Sequence, residues 1–247
     1  MPDALGYRLK CGVVIPSTGT VVETELNRMA PPGVTIHAGR MFIERPAMGS
    51  DAGFEALLEQ VRASLDTALR DVLSCEPDCV IMGMSAETFW GGVEGSARFV
   101  ERVRARWGLE IVSPAAACRA GLERLGVRRV ALLSPYPPKV DEQVTRYFTE
   151  CGFEVVGVKA LRLGHARAIA DTPEVPLRQA LRETAGPGVD AIVQVGMNLP
   201  FARLADEAER WLEKPVLALN AVSFWHALRR HGIDDRFPGW GSLLREH

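Results

Sequence analysis

Short apolar runs alternate along the chain with longer stretches in which apolar residues recur every three or four positions. That alternation predicts strands interleaved with amphipathic helices, the pattern of a parallel-sheet α/β protein. Residues 11–15 (CGVVI) read as a buried strand, followed by the loop Pro16-Ser17-Thr18-Gly19-Thr20 and a helix starting near Val21. A second strand falls at 34–37. The clearest helix covers 51–73, where Phe54, Leu57, Leu58, Val61, Leu65 and Leu69 share one stripe. A strand at 79–82, a helix over 95–107, a short strand at 111–112 and a helix over 114–125 come next. The cycle then restarts with a strand at 130–133, the loop Ser134–Pro138, a helix over 140–151 and a strand at 155–158. A helix over 177–184, a strand at 191–195, a helix over 202–212, a strand at 216–219 and a last helix over 224–230 complete it.

Within that cycle the two halves of the chain repeat each other. Asp78-Cys79-Val80-Ile81-Met82 leads into Gly83-Met84-Ser85, and Asp190-Ala191-Ile192-Val193-Gln194-Val195 leads into Gly196-Met197-Asn198. The repeat predicts two similar parallel-sheet halves related by an approximate twofold. Residues 1–115 with 221–247 are expected to form the first half and 116–220 the second. Open α/β sheets bind ligands beyond the carboxyl ends of their strands. The site is therefore expected in the cleft between the halves, with the Gly83 and Gly196 strand ends facing each other.

Composition narrows the partners. The 247 residues are 47% hydrophobic and 24% charged with a formal net charge of −2, so no basic field draws the chain to nucleic acid or anionic lipid. No apolar run reaches the ~18 residues of a membrane span, and the first residues read neither as a basic n-region nor as an apolar h-region. A cytoplasmic protein is expected. Five cysteines at irregular spacing fit a reducing compartment better than a disulfide framework. Scattered histidines and an isolated Cys75-Glu76-Pro77-Asp78-Cys79 run imply no metal site. Nothing calls for a cofactor, and association into a homo-oligomer is left open.

Several segments in order resemble the aspartate/glutamate racemase superfamily, in its arylmalonate decarboxylase and maleate cis-trans isomerase branch. Residues 16–25 (PSTGTVVETE) and His37-Ala38-Gly39-Arg40-Met41 are similar to the isomerases. Met82-Gly83-Met84-Ser85, residues 125–132 (LGVRRVAL) and Pro238-Gly239-Trp240-Gly241 look closer to the decarboxylases. The resemblance implies a small carboxylic acid as ligand and an enolate-like intermediate. It also implies one or two cysteines at the two central strand ends, at positions that look like Gly83 and Gly196. Neither position holds a thiol, so the resemblance carries fold and ligand class without a mechanism.

What the residues offer in place of thiols is a carboxylate cradle. Glycines at strand ends let backbone N–H groups approach an anion, and the hydroxyls of Ser17, Thr18, Thr20, Ser85 and Tyr136 add donors. Ser17, Thr18 and Thr20 have an equal alternative as helix caps. Arg40 either pairs with a second carboxylate or forms a surface ion pair. Met84, Met197 and Asn198 would line the remaining wall. Tyr136, Cys118 and bound water are the candidate proton donors, with a buried structural thiol as the other reading of Cys118. Three functions follow: a cofactor-independent decarboxylase or isomerase, a non-catalytic carboxylate-binding protein, or a hydrolase or lyase that activates water, with Glu87 the nearest acid.

Overall fold

A computed structural model describes residues 3–44 and 47–247. Its strands form two four-stranded sheets, both entirely parallel, in the orders β2-β1-β3-β4 and β6-β5-β7-β8. The first sheet is built from β1 (Leu9–Pro16), β2 (Val34–Met41), β3 (Cys79–Met82) and β4 (Ile111–Val112). The second is built from β5 (Arg129–Ser134), β6 (Glu154–Ala160), β7 (Ala191–Gln194) and β8 (Val216–Ala218). Identical strand order makes the two halves the α/β repeat expected from the sequence. The central strands β3 and β7 are buried at every position, which explains why they read as apolar runs, broken only at Gln194, rather than alternating ones.

The register of the halves corrects the sequence comparison by one residue. The Asp78 carboxylate accepts from Lys10 N at 2.7 Å, and Asp78 N donates back to Lys10 O at 2.8 Å. The Asp190 carboxylate accepts from Arg129 N at 2.7 Å, and Asp190 N donates to Arg129 O at 2.8 Å. These two latches are equivalent, so positions count from them. Five residues on, Gly83 N donates to Val14 O at 2.7 Å and Val195 N donates to Leu133 O at 3.0 Å. Gly83 therefore corresponds to Val195, not to Gly196. The shared Gly-Met pair hid the shift, because the second half carries one more residue before it.

Helices cover both sheets. α1 (Val22–Met29) follows β1, and α2 (Asp51–Leu73) packs on β1 and β2. α2 is capped by the Ser50 side chain, which accepts from Gly53 N. α3 (Ser85–Phe89) and α4 (Gly92–Trp107) follow β3; α5 (Pro114–Arg124) leads to the second half. There α6 (Pro138–Glu150), α7 (Ala166–Ala170), α8 (Glu174–Thr184) and α9 (Ala202–Leu212) link the strands. α10 (Leu219–Arg230) packs against α5 and α1 and reaches β3, β4 and β8; α11 (Ser242–Glu246) packs on it.

Several boundaries differ from expectation for physical reasons. α10 begins five residues earlier than predicted because Leu219 through Trp225 are all buried, so no polar face marks its first turn. The short α3, α7 and α11 span five residues each, too few for a helical period to show. No helix among the described residues is long and apolar enough to cross a membrane.

Candidate active site

A small cavity opens where the carboxyl ends of the two sheets meet. The β1–α1 loop contributes Pro16, Thr18 and Gly19, and α1 adds Val22. Gly83 and Met84 come from the end of β3, Tyr136 from the loop after β5, and Met197 with Asn198 from the loop after β7. Met48, Phe54 and Leu57 close one side, and Ala166 with Ile169 the other. Across the halves Met48 N donates to Gly164 O at 3.0 Å, and Ala47 bridges His165. Thr18 and Tyr136 bring the hydroxyls to a wall that is otherwise mostly aliphatic and aromatic. No charged side chain is among the described residues that line it.

Tyr136 is held from three directions. Its ring meets Phe54 edge-on at 5.5 Å, and its N–H donates to Ser134 Oγ at 3.1 Å. Its phenol lies 2.9 Å from Ser85 Oγ. Ser85 Oγ also donates to Val195 O at 2.7 Å, which uses its one proton. The phenol is therefore the donor to Ser85. Burial pushes the phenol up to about 12, opposed by the Ser85 bond and assisted by the charge of Asp141, so it carries its proton at neutral pH.

Behind Tyr136, Ser134 Oγ donates to the buried Asp141 carboxylate. Burial raises Asp141 to about 6, against the pull of the Ser134 bond and of Arg162. A carboxyl raised in the fold favours the native state least when ionised. Its penalty is absent below the unfolded value near 3.8, grows as pH rises through about 6, and is constant above that. Asp141→Asn should then raise stability at pH 8 by about 1–3 kcal/mol, with the gain vanishing toward pH 4. Denaturant melts at the two pH values measure it, and an equal effect at both would contradict the assignment.

The structure divides the residues singled out from sequence. Thr18, Gly83, Met84, Tyr136, Met197 and Asn198 reach the cavity wall. Ser85 is fully buried one layer behind it, so it supports Tyr136 rather than lining the cavity. Ser17 Oγ accepts from Ile43 N at 2.9 Å and fixes the exit of β2. Thr20 is exposed, and its carbonyl accepts from Thr24 Oγ1. Arg40 spends its guanidinium on Gly19 O at 2.9 Å and Glu23 at 2.6 Å, outside the cavity. Gly196 sits behind the wall, where a Cβ would stand 2.4 Å from Pro135 Cγ. Cys118 is fully buried in α5, away from the cavity, and burial drives its thiol far up. None of the five cysteines lines the site. Glu87 pairs with Arg62 at 3.0 Å and Arg102 at 3.4 Å, which removes the acid invoked for water activation.

Sequence reasoning placed Phe54 and Leu57 in the core stripe of α2, and that stripe continues into the cavity. Ala166 and Ile169 gave no signal, because α7 is a single short turn.

The profile of the family described as arylmalonate decarboxylase matches residues 11–244. The chain belongs to the arylmalonate decarboxylase family. An arylmalonate decarboxylase of Bordetella bronchiseptica is 28% identical over 238 residues, covering 95% of this chain and 96% of that one. A maleate isomerase of Nocardia farcinica is 27% identical over 252 residues, covering 98% and 97%. The solved maleate cis-trans isomerase of Nocardia farcinica with a covalently bound succinylcysteine intermediate superposes with a TM-score of 0.85 at 26% identity, over 97% of this chain and 99% of that one. Membership in the arylmalonate decarboxylase family accords with the sequence resemblance and with the fold. It places the chain among enzymes.

Proposed function

We propose that the chain is a cofactor-independent decarboxylase or isomerase of a small carboxylic acid that works through an enediolate without a cysteine. The observation that carries this reading is Tyr136: a buried phenol, protonated at neutral pH, on the wall of the cavity between the two sheets. In decarboxylation the bond from the α-carbon to one carboxylate breaks, its electron pair passes into the enediolate of the other, and carbon dioxide leaves. An apolar wall of Met84, Met197, Phe54 and Leu57 favours the departing neutral molecule over the carboxylate it came from. The Thr18 hydroxyl donates to the enediolate oxygens. The phenol then turns its proton from Ser85 to carbon and regains one from water.

Counting from the latches, the two strand-end positions are Gly83 and Val195, and neither carries a thiol. Two-base racemisation needs a proton-transfer group on each face. Glycine and valine supply none, which sets racemisation behind the other two reactions. The test is a turnover screen with substituted malonates, maleate and acidic amino acids, repeated after exhaustive thiol alkylation. Turnover of a malonate or maleate that survives alkylation is the expected result. Stoichiometric inactivation at one cysteine, with substrate protecting it, would overturn the thiol-free mechanism. Binding of these acids without turnover would favour a carboxylate-binding protein.

A further inference from the structure

α1 and α9 each begin without a cap from their own N-cap residue, since Val21 and Phe201 have no side chain that accepts a hydrogen bond. Each takes its cap from the opposite half. Asn198 Oδ1, from the loop before α9, accepts from Thr20 N at 3.0 Å and Val21 N at 3.3 Å at the start of α1. Glu25, on α1, accepts from Phe201 N at 3.1 Å and Ala202 N at 3.0 Å at the start of α9. The exchange crosses the cleft in both directions, right beside the cavity.

Glu25 does more than a cap requires. Its second oxygen accepts from Asn220 Nδ2 at 2.7 Å, and that same amide donates to Met197 O at 2.9 Å. One carboxylate thus fixes the loop 197–201 at both ends, through Asn220 at Met197 and directly at Phe201. Met197 and Asn198 are the cavity residues of that loop, and Val22, one turn before Glu25, lines the facing wall. The carboxylate is only 8% exposed. A buried acid is retained against its desolvation only where donors surround it, and here three do.

We propose that Glu25 is a positioning residue for the reaction, setting the separation of the two cavity walls through this exchange of caps. The proposal rests on the reading that this cavity is the site of turnover. It touches no reacting atom and acts through Met197, Asn198 and Val22. Glu25→Gln keeps the shape but turns an N–H2 toward Asn220 Nδ2 or toward the α9 amides. In the first case Asn220 must rotate its amide and let go of Met197 O; in the second the cap is lost.

Two measurements on the full chain decide it. Native-state hydrogen exchange on Glu25→Gln should show Phe201, Ala202, Thr20 and Val21 losing protection together, while the amides of β5 keep theirs. The substrate found in the turnover screen should then show kcat reduced by roughly tenfold to a hundredfold, the scale of a small misplacement at a reacting centre. Asn198→Ala should cause a similar loss, and the double variant should lose less than the product of the two, because both act on one gap. Unchanged protection at Thr20 and Val21 in Glu25→Gln would overturn the coupling, whatever the enzyme does. Coupled loss of protection with unaltered kcat in a folded variant would overturn the positioning role. If no acid is turned over, the exchange data still test the coupling, and only the proposed reaction fails.

Discussion

Tyr136→Phe should lower turnover by about two powers of ten while leaving the protein folded. The missing hydroxyl is the acid that protonates carbon, and general acid–base catalysis contributes about 10²–10⁴. Its stability effect is smaller, near 1 kcal/mol, because the phenol gives up a single neutral hydrogen bond, to Ser85. Ser85→Ala separates from it. That change removes the donor to the buried Val195 carbonyl as well as the partner of Tyr136, so it should destabilise by about 1–3 kcal/mol and act on turnover only through a loosened phenol. Steady-state kinetics and denaturant melts on both variants give the comparison. A Tyr136→Phe enzyme with full kcat would move the proton donor elsewhere, to bound water first.

Gly83→Ala should be strongly destabilising. A Cβ there would stand 2.3 Å from Ile15 Cγ2 and 2.7 Å from Val14 O. Ile15 is β-branched and fully buried, so it has no rotamer into which to retreat, and Val14 O is held by the Gly83 amide itself. Overpacking of this kind typically costs about 1–3 kcal/mol, and the upper end is expected where backbone must move. Ile15→Val, which keeps the branch at Cβ, should rescue little; Ile15→Ala should relieve the side-chain contact and leave the one with Val14 O. A Gly83→Ala variant as stable as the parent would show that β1 yields easily. It would also reopen the first strand end to a thiol.

The fold was legible because its central strands are buried and its long helices have one wet face, so period and run length both point the same way. α2 shows the limit. Its stripe is correct from Phe54 to Leu69, yet nothing in a stripe says where core ends and cavity begins. The second central strand end was misplaced because Gly196-Met197 imitates Gly83-Met84; only the paired backbone latches at Asp78 and Asp190 reveal the extra residue. Arg40 and Ser17 have the chemistry of a carboxylate site, but they serve Gly19 O, Glu23 and Ile43 N instead. Donor type can be read from a sequence. The partner that consumes the donor cannot.

The crossed caps also bear on how the molecule comes apart. Each of these helix entries is held partly from the other half, so neither half keeps all of its hydrogen bonds when separated. Ser85 adds a third tie to Val195. Two lookalike halves of this kind do not behave as two domains on a hinge. They should melt as a single cooperative unit, and a chain cut between β4 and β5 should yield fragments that need each other to fold.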